Sequence, residues 1–300
     1  MKESLDRTSN RIDDGTSTSV SLISGSVGGA MQVLVGQPLD TIKTRSQIAP
    51  VRMFKGPLDV GIKTIKNEGF LGLYKGMFSP LIGIAGVNSL LFGAFTFSKR
   101  VVSPYPELTI AQTALAGSMA GAINSILASP VEMFKIRMQA QYGGSQDLLL
   151  RQVVYGMWND WGFRKGIMRG FWITFVREIP AYAGFYSGFE ATKRAFQRHY
   201  GTNNDLPNWT ILTSGAVGGI GYWTFCYPLD VIKSRVQMAD QPPKGINYIS
   251  NTFRTVCKNE GAQALVRGLM PTYIRAVPAA AVTFLGYEIS KKFLEKNTSL

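Results

Sequence analysis

The chain alternates long, mostly apolar stretches with short polar ones. Such runs cover about Val20–Val35, Met77–Val101, Phe171–Tyr200 and Leu269–Leu294. About twenty-five helical residues rise roughly 37 Å, enough to cross a hydrocarbon layer of about 30 Å with tilt. After the first run comes a polar loop and then Val60–Asn67, whose spacing predicts a short amphipathic helix. Glu68-Gly69 follows it, then Tyr74-Lys75-Gly76. The same order returns at Glu260-Gly261 and Val266-Arg267-Gly268. It returns more loosely at Trp161-Gly162 and Met168-Arg169-Gly170, where the interval is one residue longer. Glycine at these places ends the short helix by adopting backbone conformations that other residues resist.

A second motif marks the other member of each pair of long helices. Pro38-Leu39-Asp40-Thr41-Ile42-Lys43-Thr44-Arg45-Ser46-Gln47 matches Pro130-Val131-Glu132-Met133-Phe134-Lys135-Ile136-Arg137-Met138-Gln139. It matches Pro228-Leu229-Asp230-Val231-Ile232-Lys233-Ser234-Arg235-Val236-Gln237 as well. The prolines are 92 and 98 residues apart. A proline beside charge at the end of an apolar helix bends the helix and places groups that lipid rejects. Those charges must face water, protein or one another. Gly25 and Gly29, Gly117 and Gly121, and Gly215 and Gly219 precede the prolines in constant phase. Small residues one turn apart admit a neighbouring backbone.

Together these patterns predict an all-α membrane protein with six transmembrane helices in three pseudosymmetric repeats. The repeats are 20–104, 105–202 and 203–296, after a polar tail at 1–19 that is expected to be disordered. The tail carries Glu3, Asp6, Asp13 and Asp14. It resembles neither an acid-poor transit peptide nor an apolar-cored signal, so targeting is expected to reside in the body of the chain.

Composition refines this picture. Mean hydropathy is only +0.05 and 32 residues are glycine. Helices that face lipid on one side and a polar cavity on the other have that character. Net charge is +13, which suits anionic lipid. The rival, nucleic acid, is excluded because the basic residues flank apolar segments instead of forming one stripe. Two cysteines, Cys226 and Cys257, and one histidine, His199, form no disulfide framework, metal cluster or triad. With no phosphate loop either, the chain is not expected to be an enzyme or to need a cofactor.

With its three Pro-x-acid-x-x-Lys copies, its phased glycines and its basic-Gly helix starts, the sequence resembles the mitochondrial carrier family over about residues 20–296. The resemblance implies a six-helix bundle, multi-pass in the mitochondrial inner membrane, with a central cavity open to one side at a time. It implies a matrix gate in which Asp40, Glu132 and Asp230 pair with Lys135, Lys233 and Lys43, each pair braced by a glutamine among Gln47, Gln139 and Gln237. It implies a cytoplasmic gate of Glu190 and Lys193 in the second repeat and Tyr287, Glu288 and Lys291 in the third. The first repeat keeps Lys99 but has Thr96 at the acidic position. The matrix latch should then be the stronger, and the empty protein should rest open to the cytosol. Binding of membrane lipid, cardiolipin, at helix starts and action as a monomer are further expectations.

Counting seven and eight residues from each helix-starting glycine gives the family's substrate contact points. These are Gly83 and Ile84, Arg177 and Glu178, and Arg275 and Ala276. Charge in mid-membrane marks function. Two guanidiniums suit a carboxylate and Glu178 suits an ammonium. In the family, an arginine followed by an acid resembles the carnitine/acylcarnitine and basic-amino-acid branch, as does the segment from Gly76 to Ile84. Ornithine-type carriers tend to have an acid where this chain has Val87, which weakens a dibasic substrate. The aromatics of the fourth span, among them Tyr182 and Tyr186, can cage a quaternary ammonium or simply pack. The expected activity is antiport, by alternating access, of an amino-acid or carnitine-like zwitterion. The alternative is a carrier fold serving as receptor, scaffold or proton-leak pathway.

Overall fold

The computed structural model describes residues 18–50, 53–105, 107–142, 147–201, 207–243, 245 and 247–297. Most of the expected 1–19 tail lies outside these residues. Thr18 and Ser19 already belong to the first helix.

Each repeat is a long helix, a short helix and a second long helix. In the first these are α1 (Thr18–Ile48), α2 (Pro57–Glu68) and α3 (Phe78–Val102). In the second they are α4 (Ile110–Gln139), α5 (Leu150–Gly162) and α6 (Phe171–Tyr200). In the third they are α7 (Asn208–Met238), α8 (Tyr248–Glu260) and α9 (Leu269–Asn297). Three stretches among the described residues, Phe70–Val102, Ile110–Gln139 and Ala262–Leu294, are long and apolar enough to cross a membrane by composition alone. α6 and α7 carry Arg177, Glu178, Asp230 and Lys233, which are buried within the bundle instead of facing lipid.

The six long helices form a ring. α3 packs on α4, α6 on α7, and α9 closes back on α1. The extra residue of the second repeat is absorbed locally. A wider π turn at Phe163–Ile167 stands where the other repeats have 3-10 turns, Phe70–Tyr74 and Ala262–Val266. Glycines start the even-numbered long helices because neighbouring odd-numbered long helices crowd them. At Gly76, φ is 79° and a Cβ would lie 2.8 Å from the Lys135 carbonyl oxygen. At Gly268, φ is 84° and a Cβ would meet the Tyr227 hydroxyl at 2.9 Å.

The phased glycine pairs do not act alike. Cβ atoms on Gly117 and Gly121 would lie 2.7 Å from the carbonyl oxygens of Tyr182 and Glu178, so α4 and α6 are in backbone contact. Gly25 and Gly215 have nothing within 4 Å. A Cβ on Gly29 would meet Ile84 Cδ1 at 2.8 Å and one on Gly219 would meet Ala276 Cβ at 3.7 Å, so the first and third repeats make side-chain contact where the second makes backbone contact.

Candidate functional site

The prolines lie inside continuous helices, and the acid two residues later in each faces the centre of the ring. There the three expected pairs are present. Lys135 Nζ is 2.5 Å from Asp40 Oδ2, Lys43 Nζ is 2.7 Å from Asp230 Oδ2, and Lys233 is in contact with Glu132. Each joins one repeat to the next, so the three close the bundle at the end where the short helices lie.

The glutamines differ from the expectation. Gln47 Nε2 donates to Asp230 Oδ2 at 3.0 Å and so braces the Lys43 pair. Gln139 Nε2 instead donates to Thr41 Oγ1 at 3.1 Å, beside Asp40. The amide of Gln237 is buried without a hydrogen-bond partner among the described residues. Its stem passes beside Gly170, where a Cβ would be only 2.9 Å from Gln237 Cγ. Two of the three braces are therefore not made.

The contact-point arginines reach the gate itself. Arg275 Nε lies 3.1 Å from Asp40 Oδ1. Arg177 Nη2 lies 3.0 Å from Glu132 Oε1, and Arg177 Nη1 lies 3.2 Å from Asp230 Oδ1. Arg177 also touches Glu178, whose second oxygen accepts from the Tyr222 hydroxyl at 3.3 Å. Every gate carboxylate therefore holds one lysine and one arginine. This grouping was not readable from spacing, because it depends on the inward tilt of α6 and α9.

A cavity of about 260 Å³ sits above the gate. Arg275, Glu178, Gly83 and Ile84 line it together with Tyr182, Tyr222 and Trp223. Arg177 lies behind this wall, fully buried. Gly83 is small because α3 meets α4 there, and a Cβ would be 2.5 Å from Val131 Cγ2. Ala276 packs on Gly219. Trp223 was missed in the sequence. Its indole receives Lys43 Nζ at 3.7 Å from the ring centroid, and the same positions before the other prolines are Val33 and Ser125.

At the far ends of α3 and α6 the expected partners turn to residues of their own helices. Glu190 pairs with Arg194 of its own helix at 2.7 Å. Lys99 lies 5.3 Å over the Phe95 ring. The acid–lysine gate is latched, with the cavity beside it. Outside the gate, a bidentate Arg235–Glu260 pair (2.8 and 2.9 Å) and an Arg45–Glu68 pair tie α7 and α1 to their short helices. The recurrence of both residues in two repeats was the signal that would have revealed them.

A ring of six helices around a cavity lined by charged residues, closed by ion pairs at one end, has the architecture of a membrane transporter. The sequence profile of the mitochondrial carrier protein family matches residues 14–105, 106–200 and 204–298. A mitochondrial carnitine/acylcarnitine carrier-like protein of Arabidopsis thaliana is 36% identical, over 91% of this chain and 97% of its own. Mitochondrial ornithine transporter 1 of Mus musculus is also 36% identical, over 92% and 94%. Mitochondrial magnesium exporter 1 of Drosophila melanogaster is 32% identical, over 92% and 94%. The chain belongs to the mitochondrial carrier family. It is a multi-pass transporter of the mitochondrial inner membrane.

Proposed function

We propose that the protein exchanges an amino-acid or carnitine-like zwitterion across the inner membrane. The observation that carries this reading is that Arg177 and Arg275, the arginines expected to meet substrate, hold the gate carboxylates Glu132, Asp230 and Asp40. A substrate carboxylate in the cavity competes for Arg275, and for Arg177 once that side chain turns out from behind the cavity wall. Taking them loosens all three gate pairs from the cavity side, so binding and opening are one equilibrium. Glu178 then receives the amine, with the π faces of Tyr182, Tyr222 and Trp223 around it. A dicarboxylate would leave Glu178 facing like charge, and a bare cation would leave the arginines on the gate. The names of relatives at similar identity, a carnitine/acylcarnitine carrier-like protein and an ornithine transporter, accord with the zwitterion. The receptor or leak alternative is disfavoured by a matrix gate with all three pairs made.

Two partners complete the proposal. Acidic membrane lipid, cardiolipin, suits the cavity of about 1070 Å³ between the second and third repeats, where Arg164 and Lys165 stand beside Phe171, Trp172 and Tyr248. Action as a monomer is supported by the ring, which one chain closes when α9 meets α1.

The test is exchange in proteoliposomes against carnitine, acylcarnitines, neutral and basic amino acids, dicarboxylates, keto acids and magnesium. Exchange of one or more zwitterions, lost in Arg275→Gln, is expected. Exclusive transport of a dicarboxylate or of magnesium, or no exchange at all, would overturn the reading.

A further inference from the structure

The repeats depart from threefold symmetry at the matrix end of the short helices. In the first, Glu68 is held by Arg45 and by Lys75, the latter at 2.6 Å. In the third, Glu260 is held by Arg235 at 2.8 Å and by Arg267 at 2.9 Å. One carboxylate serves two cations each time. One cation comes from the odd helix and the other from the residue before the helix-starting glycine. The matching cations of the second repeat are Arg137 and Arg169, but the matching acid is Trp161. The neighbouring Asp160 is exposed.

Arg137 and Arg169 converge nonetheless. Arg137 Nη2 and Arg169 Nη1 donate to the same carbonyl, that of Ala239, at 2.9 and 2.7 Å. Arg169 is 1% exposed, and its Nη2 is buried without an acceptor, as is Arg137 Nε. No carboxylate among the described residues lies within ion-pair distance of either guanidinium. The Trp161 ring, 5.4 Å from the Arg169 guanidinium carbon, offers a face but no charge. Burial and the Arg137 charge, only partly offset by Asp240, pull the Arg169 guanidinium down to about 10. Arg169 also lines the cavity that holds Arg164 and Lys165. Two like charges with unused N–H groups, in a place where two sister sites hold a carboxylate, call for an anion.

We infer that Arg137 and Arg169 form an oxyanion site in which a phosphate group takes the place that glutamate fills in the other repeats. The phosphate comes either from free inorganic phosphate or from the headgroup of an anionic lipid. A tetrahedral oxyanion offers an oxygen to each guanidinium, as the glutamate carboxylate does in the sister sites. Because it joins the end of α4 to the start of α6, its occupancy stabilises the matrix end of the second repeat. The inference does not depend on which metabolite is carried.

The experiment measures thermal stability of the purified full-length carrier and of Trp161→Glu, which supplies the missing carboxylate. One arm compares sodium phosphate with sodium chloride at equal ionic strength and pH in phosphatidylcholine nanodiscs. The other, without phosphate, compares nanodiscs of phosphatidylcholine alone with nanodiscs containing phosphatidylglycerol. The parent should rise by about 3 °C in at least one arm when the anion is about tenfold above its dissociation constant. Trp161→Glu should lose that rise while keeping exchange activity. A rise in the phosphate arm identifies the free ion, and a rise in the lipid arm alone identifies a headgroup. Absence of a rise in both arms, or an equal rise in Trp161→Glu, would overturn the inference.

Discussion

Arg275 Nε lies 3.1 Å from Asp40 Oδ1, joining an arginine proposed to meet substrate in the third repeat to an acid of the first. Asp40 also holds Lys135 of the second repeat at 2.5 Å. One carboxylate thus touches all three repeats, and whatever removes Arg275 from it changes the gate.

The same logic is stronger at Arg177, which is fully buried and holds three carboxylates. Arg177→Gln leaves Glu132, Glu178 and Asp230 short of positive charge. Removing one partner of a buried pair costs about 3–5 kcal/mol. We expect a marked fall in melting temperature and loss of exchange. Arg177→Lys, which keeps the charge but not the fork, should recover stability better than transport. Wild-type exchange by Arg177→Gln would contradict the shared role of this residue.

Trp223 tests the asymmetry of the gate. Its ring holds Lys43 by a cation–π contact worth about 0.5–2 kcal/mol. Trp223→Leu should weaken the Lys43–Asp230 latch and expose matrix-side groups to a water-soluble thiol reagent on an engineered cysteine. Trp223→Phe should retain most of the protection. Equal labelling of parent, Phe and Leu forms would show that the ring does not hold the gate.

Thr96 occupies the acidic position of the first cytoplasmic element. Thr96→Glu offers a partner to a lysine of a neighbouring even helix. An exposed pair contributes about 0.2–1 kcal/mol, which shifts the conformers by up to about fivefold. The matrix-open form should become more populated, read from labelling on the two sides of the membrane. No change in that ratio would mean that the cytoplasmic ends do not form a latch.

Glu68 supplies a pH dependence outside the membrane. Burial pushes its carboxyl up, but hydrogen bonds and charges from Arg45 and Lys75 outweigh that and hold it below its ordinary value of 4.5. A carboxyl depressed by folding stabilises the protein above its unfolded value. That contribution is lost as pH falls from about 4.5 through the folded value. Glu68→Gln should be less stable than the parent at neutral pH, and the difference should shrink below pH 4.5. A constant difference across that range would refute the assignment.

Much of this was legible from periodicity. Two nearly conserved motifs in three copies predicted the element order and the short helices, and the gate partners followed from family resemblance. The packing glycines were legible only in part. Gly117 and Gly121 meet a backbone, whereas Gly25 and Gly215 face open space, because closeness depends on how far each helix pair has tilted. Of the glutamines at equivalent register, Gln47 braces its pair, Gln139 meets Thr41 instead, and Gln237 has no hydrogen-bond partner among the described residues.

The sequence by itself determined the six helices, the threefold repeat, the acids and lysines of the gate, and the two arginines and one acid at cavity level. Periodicity and charge at a helix interior are local properties, and a chain declares them without folding. Folding alone brings Arg177 and Arg275 onto the gate acids, sets Lys43 on Trp223, and makes Arg137 and Arg169 converge with no carboxylate among the described residues in ion-pair reach. Each of those relationships joins residues from different helices. Their distances follow from the tilt and closure of the ring, which no single segment encodes.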